Sequence, residues 1–395
     1  MNICIYKHNP RVDVTLRILE AYQRAFENLG HKVLIVSHDM GTFTPDRARA
    51  FAQEFVNFKA DLALCYGFSA MPQISGGYFF RKHGIPLIIL CFENPFFGLH
   101  QGLVEEIKTY QDYYHFYVWD SWYLNQLRNL FKNCHPIRHA AEVPNPIPNP
   151  LDHAPVFERD LAFVGNIPDF VQMRKERLKG NNPYNSVIDR LIAGRMQAPG
   201  SNPFDILSEL QESEPESYGA VPSPSWTDPL LHQEVIFPLY AEGLGKYRYT
   251  LLNRLDMFHL DYFGDLQWQA PHMTFHPSVG YFEELPHIYR STNVNLDIPP
   301  FQSIDSINNR FFDVGASGSL LLTEKSNELI SIFPACEAMT YRSFDELKEK
   351  IRFYLDHPIE RNQKADELHR TVSESHTYEH RVPYLIDTAM TGLEK

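Results

Sequence analysis

Short apolar runs alternate with amphipathic stretches along the first third of the chain, and this alternation constrains the fold more than any other feature. Asn2–Tyr6 reads as a strand, and the loop Lys7–Val12 leads to a helix over Asp13–Leu29. Leu16, Leu19, Phe26 and Leu29 share one face of that helix, Gly30 closes it, and His31–Ser37 is the next strand. Strand, helix and strand at this spacing require parallel strands joined by a crossover. The pattern repeats with a helix at Pro45–Phe58, a strand at Asp61–Tyr66, a helix at Gly76–His83 and a strand at Leu87–Phe92. Tyr114–Trp119 adds a strand and Ser121–Phe131 a helix. The expected product is a doubly wound α/β sheet. The GxGxxG fingerprint is absent from it, which argues against a dinucleotide site of the NAD type.

Pro144–Pro155 contains five prolines and suits neither helix nor sheet core. A chain of 395 residues exceeds what one core usually holds, so this stretch reads as a linker. The expected division is 1–150, 151–376 and a terminal helix over 377–395. The second part opens with a strand at Asp160–Gly165 and carries a helical and loop insertion over 167–257. Met173–Lys179, Asn185–Ile192 and Leu239–Met257 are helical in pattern. Ala198–Pro229 is rich in Pro, Ser and Glu, and is expected to be a protease-sensitive surface excursion. Further strands are expected at Leu260–Phe263, Asn293–Ile298 and Leu320–Leu322. Tyr281–Ser291 is an amphipathic helix with Leu285, Ile288 and Tyr289 inward, and Asp345–His357, Pro358–Ser373 and Thr377–Leu393 are helical.

The net charge of −13 argues against a nucleic-acid partner, which needs a basic surface. No apolar run is long enough to span a membrane, and Met1–Tyr6 lacks a signal-peptide layout, so the expected location is the cytoplasm. The five cysteines are widely spaced and form no CxxC pair. Buried thiols are expected rather than disulfides or a metal site. No metal-ligand spacing is visible and no cofactor is expected.

The chemistry concentrates in Asp305–Thr323. Asn308–Ala316 can form two helical turns that end at Ser317-Gly318. The first turn of such a helix presents free N–H groups and the positive end of a dipole, with Arg310 beside it, which suits a diphosphate. Arg310 is suited either to that charge or to a surface salt bridge. Asn308 and Asn309 can donate to phosphate or cap the helix. Asp313 lies two turns in and can accept from ribose hydroxyls. Gly165 and Asn166 end a strand, where glycine lets backbone approach a phosphate; a plain strand-end turn explains them equally well. Glu93 follows the most apolar strand. It can act as a general base, bind hydroxyls, or serve as a cap. His8 and His139 rank below it, and Asp120 or Ser121 reads as a helix cap.

YFEELPHIYRSTNVNLDI, NNRFFDVGASGSLLLTE, SFDELKEKIRFYLDHPIER and HTYEHR resemble the CgeB-like, family 1-type branch of GT-B glycosyltransferases. The resemblance runs from about Leu260 to Arg381. It implies a GT-B fold, with two Rossmann-like domains facing across a cleft and a C-terminal helix crossing back to the first. Asp305 matches the acid that touches the donor sugar, Asp313 the acid that holds the ribose, and Gly318 the closing glycine. Both acids are Asp where family 4 members mostly carry Glu. The resemblance also places Gly264-Asp265 near the donor base, although the pair can serve simply as a turn.

The function so implied is metal-independent transfer of a sugar from a nucleotide-sugar donor to a hydroxyl acceptor, with Glu93, Asp305 and Arg310 in the catalytic roles. Two alternatives stay open. One is an inactive nucleotide- or glycan-binding protein, the other a nucleotide-sugar epimerase of the same fold.

Overall fold

In a computed structural model the described residues are 1–8, 13–38, 45–67, 77–143, 158–219, 221, 232–266 and 270–391. They form two compact units, Met1–Glu142 with Ser375–Lys395, and Val143–Glu374. The proline-rich stretch 144–155 lies outside the described residues, as does the side chain of His8.

The first unit is built on a parallel six-stranded sheet in the order β2-β1-β3-β4-β5-β6. Its strands are β1 (Asn2–His8), β2 (Lys32–His38), β3 (Leu62–Tyr66), β4 (Leu87–Cys91), β5 (Tyr114–Val118) and β6 (Cys134–Pro136). β3, β4 and β5 are nearly continuous apolar runs because helices cover both faces of such a sheet. Helix α1 (Asp13–Asn28) buries Leu19 and Phe26 as expected, and Gly30 ends it at φ +83°. Leu29 departs from the expected apolar face and is 45% exposed, because it lies past the last helical residue. Helices α2 (Pro45–Phe58), α3 (Phe79–Lys82), α4 (Gln101–Thr109) and α5 (Ser121–Arg128) follow. Asp120 caps α5, accepting the N–H of Trp122 at 2.9 Å.

The second unit repeats the plan, with a parallel six-stranded sheet in the order β12-β11-β10-β7-β8-β9. Its strands are β7 (Arg159–Val164), β8 (Leu260–Gly264), β9 (Met273–Pro277), β10 (Thr292–Leu296), β11 (Leu321–Glu324) and β12 (Thr340–Tyr341). After β7 the chain builds outward through β8 and β9, then returns to place β10 on the other side of β7. The crevice between the carboxyl ends of β7 and β10 is therefore a topological switch point, where open α/β sheets bind ligands.

Between β7 and β8 lie α6 (Phe170–Lys179), α7 (Asn185–Gln197), α8 (Pro203–Ser213), α9 (Pro215–Tyr218) and α10 (Phe237–Asn253). The expected surface excursion at Ala198–Pro229 is corrected for Pro203–Tyr218. Phe204, Leu207, Leu210, Tyr218 and Val221 are all buried, so Pro203–Ser213 and Pro215–Tyr218 are packed helices. The apolar residues of α8 recur at 204, 207 and 210, a helical spacing that the surrounding Ser, Glu and Pro obscure. Residues 222–229 lie outside the described residues.

Helices α11 (Leu285–Arg290), α12 (Asn309–Ala316), α13 (Asn327–Ile332), α14 (Phe344–Asp356) and α15 (Pro358–Ser375) complete this unit. The chain then rejoins the first unit as α16 (Tyr378–Met390). There Tyr378 packs edge-on against Tyr22 of α1 at 5.0 Å between ring centroids, and Tyr117 donates to the Leu385 carbonyl at 3.0 Å. No helix among the described residues is long and apolar enough to cross a membrane. All five cysteines are buried free thiols.

Candidate functional site

At the switch point β7 ends in Phe163-Val164 and leads into Gly165, and β10 ends at Leu296 and leads into Asp297. Two arginines converge on this end of β7. Arg310 comes from the first turn of α12 and Arg248 from the middle of α10, and each guanidinium lies 5.4 Å from the centroid of the Phe163 ring. A methyl group placed on Gly165 would lie 2.9 Å from Arg310 Nη2 and 3.6 Å from Arg248 Nη1. The backbone of Gly165 thus comes close to both guanidinium groups with no room for a side chain, since a methyl there would also lie 3.2 Å from the Phe163 ring.

The charges are incompletely balanced. Arg310 Nη1 pairs with Asp297 Oδ1, and both side chains are largely buried, at 11% and 1% exposure. The alternative of a surface salt bridge for Arg310 is therefore corrected to a buried ion pair. Burial pulls the Arg310 guanidinium down, and Asp297 and Tyr289 together outweigh this to hold its pKa above the usual value. Nε of Arg310 is buried without a hydrogen-bond partner among the described residues. Among the described residues Arg248 has carbonyl hydrogen-bond partners only, donating to Ile298 O at 2.7 Å and to Asn166 O at 2.7 Å. Burial, and then repulsion from Arg310, push its pKa down to about 9. Asp297 and, for Arg248, Glu324 offset the two buried cations, but the guanidinium groups still repel each other, and an anion at Gly165 would relieve that repulsion. The amino end of α12 adds N–H groups that have no acceptor within the helix, and the positive end of its dipole.

Asp297 also accepts from Asn308 Nδ2 at 2.9 Å and from Thr323 Oγ1 at 3.0 Å. Asn308 sits at the N-cap position of α12, but its side chain makes no cap hydrogen bond. The capping role is thus corrected: the amide nitrogen donates to Asp297, and the amide oxygen accepts no N–H of the helix. Asn309 Nδ2 donates to Asp313 Oδ2 at 3.2 Å, so both amides orient acids rather than point freely at a phosphate.

Asp313 lies one turn beyond Asn309 and accepts the Tyr281 hydroxyl at 2.6 Å on the same Oδ2. Its other oxygen has no partner among the described residues. Burial pushes the Asp313 carboxyl up to about 7, against the lowering effects of Tyr281, Arg310 and Asn309.

Asp305 is half-buried, and its Oδ1 accepts the backbone N–H of Glu328 at 3.2 Å, in the first turn of α13. Gly264 is buried against Gly165, since a methyl group there would lie 2.6 Å from the Gly165 carbonyl. Asp265 is exposed and accepts from the Ser278 hydroxyl. Gly318 ends α12 at φ +69°, so it stands a full helix length from Arg310, about 12 Å for eight residues. Its place is that of a helix terminator. Glu93 belongs to the other unit, where it is exposed at the carboxyl end of β4 and surrounding protein raises its pKa by desolvation. His139 is buried there, stacked on Phe92 at 4.3 Å, and burial pushes its pKa down to about 3.

Arg248, Asp297 and Tyr281 were not singled out from the sequence. Asp297 did carry a signal, being an acid at the end of an apolar strand. Arg248 did not, since an arginine inside a helix has no distinguishing pattern.

Residues 248–387 match the family model described as glycosyl transferase-like. Solved structures of similar architecture include the trehalose-6-phosphate synthase OtsA, at 11% identity and a TM-score of 0.51, covering 98% of this chain and 98% of that one. Anabaena Alr3699/HepE in complex with UDP-glucose aligns with a TM-score of 0.51 at 8% identity, covering 99% of this chain and 100% of that one. T4 phage BGT in complex with UDP and Mn2+ aligns with a TM-score of 0.50 at 9% identity, over 100% of both chains. The fold is GT-B. A search of curated proteins gave no match. Arg248, Asp297, Arg310 and Asp313 all fall inside the stretch matched by the glycosyl transferase-like family.

Proposed function

We propose that the second unit binds a nucleotide-sugar donor and that the protein transfers the sugar to a hydroxyl acceptor. The observation that carries this reading is the pair Arg248 and Arg310 at the Gly165 end of β7, beside the amino end of α12. A diphosphate placed there accepts from two guanidinium groups and from backbone N–H groups. The ribose then extends toward the open oxygen of Asp313. The family match over 248–387 and the UDP-glucose complex of Anabaena HepE support the same reading. Departure of the nucleotide diphosphate places negative charge on the leaving oxygen, which two fixed cations and a helix dipole stabilise without reorganisation. These cations would fill the role that a divalent metal plays in other transferases, and the proposed reaction is metal-independent. Glu93 is the proposed acceptor base; its raised pKa brings it closer to the working range of a general base.

One observation favours a second reading, nucleotide binding without transfer. Asp305, the proposed sugar contact, already spends an oxygen on the N–H of Glu328. Incubating the protein with UDP-, GDP- and ADP-glucose, with and without EDTA, and measuring released nucleotide separates the two. Slow release of nucleoside diphosphate supports transferase chemistry. Tight binding without release over days supports the second reading.

A further inference from the structure

We propose that Tyr281 is a positioning residue of the donor site, fixing Asp313 so that one carboxylate oxygen alone meets the ribose. This rests on the donor reading above. Tyr281 precedes α11, outside the helix that carries Asp313, and its hydroxyl reaches Asp313 Oδ2 at 2.6 Å. The amide of Asn309, one turn back on α12, donates to that same oxygen at 3.2 Å and to the Tyr281 hydroxyl at 3.4 Å. Three groups thus close a small ring on one side of the carboxyl. Oδ2 is saturated, rotation of the carboxyl is restrained, and Oδ1 is left as the open acceptor. A hydrogen-bonded carboxylate held in one orientation loses little freedom when it accepts a ribose hydroxyl.

The arrangement also sets when the carboxyl is charged. Desolvation favours the neutral acid, and the Tyr281 and Asn309 donors favour the carboxylate. The other charged and titratable groups facing it are Arg310 on its own helix, Asp297 at the end of β10 and Tyr289 on α11. Arg310 favours the carboxylate and Asp297 opposes it. The carboxyl therefore titrates near pH 7, and removing one donor shifts that midpoint upward.

The test is Tyr281→Phe, which removes one hydroxyl and keeps the ring. The dissociation constant of the tightest-binding of UDP-, GDP- and ADP-glucose is measured by calorimetry from pH 6 to 8.5. A phosphate diester in such a donor lacks the second ionisation of a monoester near pH 6, so the ligand contributes no titration there. If binding needs the carboxylate, the wild type tightens as pH rises through about 7. Loss of the tyrosine donor should move the midpoint up by about one unit. The variant then binds at least about fivefold more weakly at pH 7, and the deficit narrows toward pH 8.5 without vanishing, because the carboxylate is formed there but no longer held in one orientation. Superimposed curves across the range overturn the inference and leave the donor reading intact. Failure of all three ligands to bind the wild type overturns the donor reading itself.

Discussion

Arg310→Met removes one half of a buried ion pair and leaves Asp297 behind. Asp297 would keep its hydrogen bonds from Asn308 and Thr323, but its side chain is 1% exposed and its paired counter-charge would be gone. Removing one partner of a buried pair typically costs about 3–5 kcal/mol. Arg248 also interacts with Asp297, which places the expected cost near the lower end, about 3 kcal/mol. For a unit spanning Val143–Glu374 this corresponds to a fall of roughly 6–12 °C in the midpoint of its thermal transition. The assay is calorimetry on wild type, Arg310→Met, Asp297→Asn and the double variant at pH 7.5. Neutralising Asp297 in the Arg310→Met background removes the uncompensated charge. The double variant should recover at least about 1.5 kcal/mol relative to the sum of the single changes. The reasoning is refuted if Arg310→Met costs less than about 1 kcal/mol, or if the two changes are additive.

Asp313→Asn tests the burial of the ribose acid through the pH dependence of stability. The folded pKa of about 7 lies above the unfolded value near 4, so the wild type is stabilised below pH 4 and loses that contribution as pH rises toward 7. The asparagine variant does not titrate, and its stability relative to wild type should rise by roughly 2–3 kcal/mol between pH 5 and 8 in urea unfolding. A flat difference would show the carboxyl to be solvated. Turnover of donor should survive EDTA; loss that Mn2+ or Mg2+ restores would remove the arginines from the metal's role. Leu207→Ala should cost about 2–5 kcal/mol, since Leu207 is fully buried in α8, and a change under about 0.5 kcal/mol would return the stretch to a surface excursion.

Elements with strong periodicity were legible in the sequence. The helix at Pro45–Phe58 and the packed face Leu285, Ile288 and Tyr289 matched because each shows one dominant apolar period. The strands that went unread, β6, β9 and β12, are edge strands, partly exposed or only two or three residues long, and local pattern does not mark them. The site was legible where it is local. Gly165, Arg310 and Asp313 stand out because a strand end and a helix start can be read from neighbours in sequence. Arg248 arrives from a helix more than eighty residues along the chain from Gly165, and only the fold brings it to Phe163. Asn308 illustrates the opposite limit. Its type fits a cap, but Asp297, supplied by another strand, draws its amide away.

The most direct test of the account is titration of nucleoside diphosphates and nucleotide sugars into wild type and Gly165→Ala. A methyl group there would stand 2.9 Å from Arg310 Nη2 and occupy the point where the diphosphate is placed, while both arginines remain. The free variant should stay folded, with a backbone cost of about 1–3 kcal/mol. The account predicts micromolar or tighter binding of at least one of UDP, GDP and ADP to wild type, and at least a tenfold loss, about 1.4 kcal/mol, in the variant. Absence of binding to wild type, or dissociation constants within threefold of each other in the two proteins, would contradict it.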